Sequence, residues 1–134
     1  MRCFRDLIAY RIIISVPRCH LNSEEDREEQ ERKYLYQIAN ALPGFLEEQG
    51  FSAEPAMGIK ESTSPLLNES VKPYYRDYIC SSSLNNYQSL HITFYDNSSR
   101  CYMEVQLRTK MMDDVAEIGT ANHIGYEKEQ EHDR

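Results

Sequence analysis

Positive charge is scarce in this chain. Fifteen Lys and Arg stand against 22 Asp and Glu, a formal net charge of -7 over 134 residues. A general nucleic-acid surface needs a basic patch or stripe, so that class is excluded. An acidic chain still binds nucleotides where local cations or a metal ion offset the phosphates. Paired cysteines are absent as well. Cys3, Cys19, Cys80 and Cys101 are scattered, with no C-x-x-C pair and no zinc spacing. The expectation is reduced, buried thiols in the cytoplasm rather than disulfides. Long apolar runs are missing too. The longest, Leu7 to Val16, holds Tyr10 and Arg11 and is too short to span a bilayer, and no signal peptide is expected ahead of it. No internal repeat is visible. What remains is one domain, residues 1–134, long enough for a real core.

The most informative stretch present is Tyr87 to Arg108. Two runs alternate polar and apolar residues with a period of two, and Asp96-Asn97-Ser98-Ser99 separates them. That pattern predicts a β-hairpin. Tyr87, Ser89, His91 and Thr93 share one face of the first strand; Leu90, Ile92 and Phe94 share the other. On the second strand Tyr102, Glu104, Gln106 and Arg108 oppose Met103, Val105 and Leu107. A loop of Asp96 to Ser99 sets Tyr95 opposite Arg100, His91 opposite Glu104 and Ser89 opposite Gln106. Cross-strand neighbours have Cβ atoms roughly 5 Å apart. One face thus gathers a phenol, an imidazole, a carboxylate, an amide and a guanidinium. A half-exposed sheet with a merely solvated face accounts for the alternation equally well.

Ahead of the hairpin, Leu7 to Val16 is rich in β-branched residues and apolar on both faces, which predicts a central strand ended by Pro17. Asp6 sits at its entrance. Arg11 interrupts it and needs a carboxylate or a phosphate as partner. Ser23 to Gln49 reads as helix, with Ser23 as N-cap and Glu24, Glu25 and Asp26 at the positive end of the dipole. Glu24 to Arg32 reads as a solvated extension. Leu35, Ile38, Ala39, Leu42, Phe45 and Leu46 form the packing face. Pro43-Gly44 predicts a kink or two abutting helices, and Gly50 a stop. Phe51 to Ile59 is an edge-strand candidate, and Lys60 to Pro73 a loop. Thr109 is placed to cap a last helix running to about Tyr126.

"NNYQSLH", "EVQLRT" and "VAEIGTANHIGYEK" resemble the synthetase domain of the RelA/SpoT family, the (p)ppGpp synthetases. "FRDLIAYRIII" is similar to that family's aspartate-bearing strand, and "YYRDYI" to the segment ahead of its guanine-binding loop. These five stretches, in the right order, cover Arg5 to about Lys128. The resemblance implies an α/β fold, a mixed sheet flanked by helices in a nucleotidyltransferase-like palm. It implies transfer of pyrophosphate from ATP to the 3′-hydroxyl of GDP or GTP. Glu104 takes the place of the catalytic glutamate and Asp6 that of the magnesium-binding aspartate, the two sharing Mg2+. Tyr87 is the stacking surface for guanine. Asn85, His91, Gln106, Arg108 and Arg76 take guanine-nucleotide positions. In this picture the Tyr87 ring stacks and its hydroxyl is idle.

Two departures fall in the loop before Tyr87. Ser83 stands where the family has a lysine, and Asn86 where it has a glycine; Asn tolerates left-handed backbone angles better than most residues. A third is upstream. The family draws its ATP site from basic residues ahead of the aspartate strand, and here only Arg2 and Arg5 precede Asp6. The expectation is a single domain lacking the N-terminal ATP-binding segment. The partners implied are GDP or GTP and, less strongly, ATP, with no membrane and with a homo-oligomer compatible. The alternative reading is a catalytically impaired guanine-nucleotide-binding or regulatory module.

Overall fold

The computed structural model describes residues 8–21, 26–56, 61–80 and 87–123, with side chains as far as Glu117. Strand β1 (Ile8–Ile14) leads through helix α1 (Arg27–Glu48) to strands β2 (Phe51–Glu54), β3 (Tyr75–Asp77), β4 (Leu90–Asp96) and β5 (Cys101–Thr109), and helix α2 (Lys110–His123) closes the order. The five strands make one mixed sheet in the order β1-β5-β4-β2, with β3 also on β4. β1 runs parallel to β5, and the other pairings are antiparallel. β2 and β3 lie end to end along β4, covering Thr93 to Asp96 and Leu90 to Ile92. The mixed α/β sheet flanked by helices is as expected.

One face of the sheet is the core. Leu90, Ile92 and Phe94 of β4 and Val105 and Leu107 of β5 pack with Leu35, Tyr36 and Ala39 of α1 and Met112 of α2. Two buried phenols tie α1 to β3. Tyr75 donates to the Ala39 carbonyl at 2.7 Å, and Tyr36 donates to Asp77 Oδ2 at 2.8 Å. Asp77 also accepts from Ser62 and from the backbone N–H groups of Ile79 and Cys80, so the buried carboxylate is fully used. Burial pushes both phenols above the usual tyrosine range. Gly50 follows α1 at φ 100°, the left-handed stop that Gly supplies without strain. Thr109 Oγ1 accepts from the Met112 N–H at 3.2 Å and caps α2.

Four expectations need correction. β1 is an edge strand, not a central one, and Ile8 and Tyr10 are 51% and 53% exposed. Apolar residues on both faces show what a strand could bury, not what covers it; α1 packs over β2, β4 and β5 and leaves β1 outside its footprint. The hairpin register is shifted by two: Tyr95 pairs with Tyr102, Thr93 with Glu104 and His91 with Gln106. Asp96 is the last strand residue, since its carboxylate binds Ser98 N–H and Ser99 Oγ, and Arg100 closes the turn at φ 63°. A shift of two keeps every side chain on its face. Helix α1 is described from Arg27 with Asp26 before it, and residues 22–25, the expected Ser23 cap included, lie outside the described residues. Its first turns are not a solvated extension: Glu31 is 3% exposed and accepts from the Val16 N–H at 3.0 Å, pinning the end of β1. The thiols differ too. Cys19 and Cys80 are free but exposed, and Cys101 is disulfide-bonded. Pro43 sits inside a continuous α1, so the run is one helix rather than two abutting ones. No described helix is long and apolar enough to cross a membrane.

Candidate functional site

Packing on one face of the sheet decides what stands on the other. With Leu90, Ile92, Val105 and Leu107 held in the core, His91, Thr93, Glu104, Gln106 and Arg108 must project from the opposite face. The anchoring of Tyr75 and Asp77 to α1 likewise turns Arg76 to that face, in register with His91. Tyr87, just before β4, folds over the same surface.

There the side chains close a ring of hydrogen bonds. Arg108 Nη2 donates to the Tyr87 hydroxyl at 2.7 Å and to Gln106 Oε1 at 2.9 Å. Gln106 Nε2 donates to Glu104 Oε1 at 3.0 Å. The Tyr87 hydroxyl lies 2.9 Å from His91 Nε2, and His91 Nδ1 faces Glu104 Oε2 at 3.6 Å. An ionised Glu104 can only accept, so the tautomer that suits it carries the imidazole proton on Nδ1, and Nε2 then accepts from the Tyr87 hydroxyl. Both arms of the ring point donors at Glu104. The Arg108 guanidinium also lies over the Tyr87 ring, 5.0 Å from its centroid. Tyr78 packs edge-on against His91 at 5.0 Å and against Tyr87 at 6.0 Å.

Burial holds the His91 pKa below the ordinary histidine value; the nearby Arg108 and Arg76 push the same way, and Glu104 opposes them. The sign follows from linkage. A histidine depressed in the folded state favours the neutral form, so the unfolded chain binds more protons as pH falls. The stability this adds is complete above about 6.5, the unfolded value, and is lost as pH falls through the folded one. The drop in thermal midpoint between neutral and mildly acid pH should therefore shrink in His91→Gln. An equal drop in both chains would mean that His91 carries none of the acid sensitivity.

The structure brings together five of the residues singled out from the sequence: Tyr87, His91, Glu104, Gln106 and Arg108. Arg76 stands beside them, its Nε buried without a hydrogen-bond partner. Asp6 and Asn85, with Ser83 and Asn86, lie outside the described residues. The part of the shared-metal geometry that is described is the pairing of their strands: β1, which Asp6 precedes, runs beside β5, with Ala9 in register with Glu104. Arg11 finds its carboxylate partners in Asp113 at 3.2 Å and Glu117 at 3.6 Å. Arg108 is 5% exposed and also binds Asp113 at 2.9 Å and Ser89 Oγ at 3.4 Å. The Tyr87 hydroxyl is not idle, with two partners in the ring. Asp113 was missed as a site residue, and Ser89 was placed on this face without a role.

The larger concavities are elsewhere. One of about 350 Å³ lies between α1 and α2, lined by Arg32, Gln88 and Met112 among others, and one of about 340 Å³ adjoins it across Arg32 and Gln88. Among the described residues, the cleft beside His91 and Arg76 has a volume of about 20 Å³. The converging polar groups, rather than cavity size, mark the site.

The family model described as the region found in RelA / SpoT proteins matches residues 58–131. That is more than half of the chain, which belongs to the RelA/SpoT family. The ring around Glu104 and the whole hairpin fall inside the match. Among similar curated proteins, a guanosine-3′,5′-bis(diphosphate) 3′-pyrophosphohydrolase of Spiroplasma citri is 41% identical over 75 residues, 56% of this chain and 9% of that protein. A probable pyrophosphohydrolase of the same name from Mycoplasma genitalium is 40% identical over 58 residues, 43% of this chain and 8% of that one. The GTP pyrophosphokinase rsh of Brucella ovis is 42% identical over 52 residues, 39% of this chain and 7% of that one. The matches span less than a tenth of these relatives' lengths, and their names include both a hydrolase and a kinase.

Proposed function

We propose that this chain carries the guanine-nucleotide side of a (p)ppGpp synthetase, in which pyrophosphate passes from ATP to the 3′-hydroxyl of GDP or GTP. The ring that aims donors at Glu104 is the observation that supports this most. A ribose hydroxyl is a poor nucleophile, and a carboxylate held near it accepts or steers its proton. Glu104 is 16% exposed at its side chain, so it reaches the surface while Gln106 fixes its orientation. The pyrophosphokinase name among the relatives agrees with synthesis, and the family's guanosine-phosphate names agree with the nucleotide class.

In this reading the sheet serves as a nucleotidyltransferase-like palm. Tyr87 offers its ring to the guanine base, and Asn85 is assigned to the same nucleotide by the family resemblance. His91 and Gln106 orient Glu104 and bind ribose or phosphate oxygens, which is positioning rather than bond chemistry. Arg76 offers the guanidinium for phosphate. Arg108 acts mainly through Tyr87 and Gln106. Glu104 fits magnesium as a hard oxygen donor, one oxygen taken by Gln106 and the other 3.6 Å from the imidazole. Asp6 would be its companion ligand. Bound there, the ion would offset phosphate charge in an in-line transfer.

Two substitutions test the nucleotide site by titration with GDP. Tyr87→Ala should weaken binding by about 1–3 kcal/mol, the range for aromatic stacking on a base. Tyr87→Phe should cost about 1 kcal/mol, because Arg108 and His91 lose their shared partner. A Phe variant equal to the wild type would show the hydroxyl to be idle despite its bonds. Equal losses in both would remove stacking from the account.

A further inference from the structure

Asp113 lies on α2, off the ring, yet it holds the ring's cation. Its Oδ1 accepts from Arg108 Nη1 at 2.9 Å and from Arg11 Nη1 at 3.2 Å. One oxygen thus joins two guanidinium groups, one from β1 and one from β5. The Asp113 side chain is 11% exposed. Arg11 has a second partner in Glu117, whereas Asp113 is the only carboxylate paired with Arg108 among the described ion pairs. The remaining donors of Arg108 reach Ser89, Gln106 and Tyr87. Nη1 on Asp113 therefore sets the plane of the guanidinium, and that plane decides whether Nη2 meets both the phenol and the amide.

We infer that Asp113 is a positioning residue for the nucleotide site: it fixes Arg108, and through Arg108 it fixes Tyr87 and Gln106 in the ring. The inference rests on the proposed guanine-nucleotide reading for its affinity consequence, but not for its geometric one. Neutralising Asp113 leaves two cations facing each other across one amide, and Arg108 turns away from Tyr87. A residue that only pinned α2 to the sheet would lower stability without selecting these partners.

The test uses the isosteric Asp113→Asn in the full chain, with circular dichroism to check the fold. Arg108 Nε–H exchange should quicken and the Tyr87 ring resonances should move. GDP affinity should fall about tenfold. In a Tyr87→Phe background the same substitution should cost clearly less, because the phenol through which Arg108 acts is already gone. Additive losses, or a folded Asp113→Asn chain with unchanged Arg108 and Tyr87 signals, would overturn the inference, as would an Asp113→Asn chain that does not fold. If the wild-type chain binds no GDP, the functional reading fails, and the Arg108 and Tyr87 signals alone decide the role of Asp113.

Discussion

Replacing Arg108 with alanine is expected to lower the stability of the chain by about 3–5 kcal/mol, the cost of removing one partner from a buried ion pair. The size follows from what the change leaves behind. Asp113 keeps a mostly buried carboxylate without its shorter ion-pair partner, and Tyr87 and Gln106 each lose a donor. Small domains hold together by about 5–15 kcal/mol, so the thermal midpoint should fall by on the order of 10 °C or more. GDP binding should be lost even at temperatures where the variant is folded, because Tyr87 and Gln106 lose the donor they share. Arg100→Ala, in the exposed hairpin turn, is the control and should stay within about 0.5 kcal/mol. Equal midpoints for the two variants would mean that Arg108 is a surface contact after all.

The second large effect is on transfer itself. Incubated with labelled ATP, GDP and magnesium, the 134-residue chain by itself should form little or no ppGpp. ATP carries about four negative charges near neutral pH, and magnesium offsets only part of them. The described cations around the site are largely committed: Arg108 to Asp113, Tyr87 and Gln106, and Arg11 to Asp113 and Glu117. Arg76 remains on the open face, and the formal charge of -7 works against the rest. Losing one preorganised group at a charged transition state costs about 10²–10³ in rate, and losing a set of them costs more. A second subunit could bring cations of its own, so the assay should span a range of protein concentrations. Robust product that disappears in Glu104→Gln would show that the chain holds a complete site, and the half-site account would be wrong.

The sequence exposed the faces of this site more clearly than its geometry. Alternation with a period of two put Tyr87, His91, Glu104, Gln106 and Arg108 together, and a register error of two residues left that grouping intact because the pleat repeats every two. The error still mattered for detail: His91 meets Glu104 across a diagonal, at 3.6 Å, rather than directly opposite. What periodicity could not show was depth. Arg108 and Tyr102 alternate alike in the sequence, but one is 5% exposed and the other 37%. Depth depends on α2 packing over one end of β5. Asp113 was hidden for the same reason, since its approach to Arg108 crosses a strand–helix junction that no repeat describes. β1 failed in the opposite direction: its composition spoke for burial, and the sheet order placed it at an edge.

The most direct measurement is a pair of calorimetric titrations on the wild-type chain, one with GDP and one with ATP and magnesium. The account predicts that GDP binds more tightly than ATP and that Tyr87→Ala removes the GDP signal preferentially. No GDP binding, or ATP binding as tightly as GDP and unaffected by Tyr87→Ala, would contradict it.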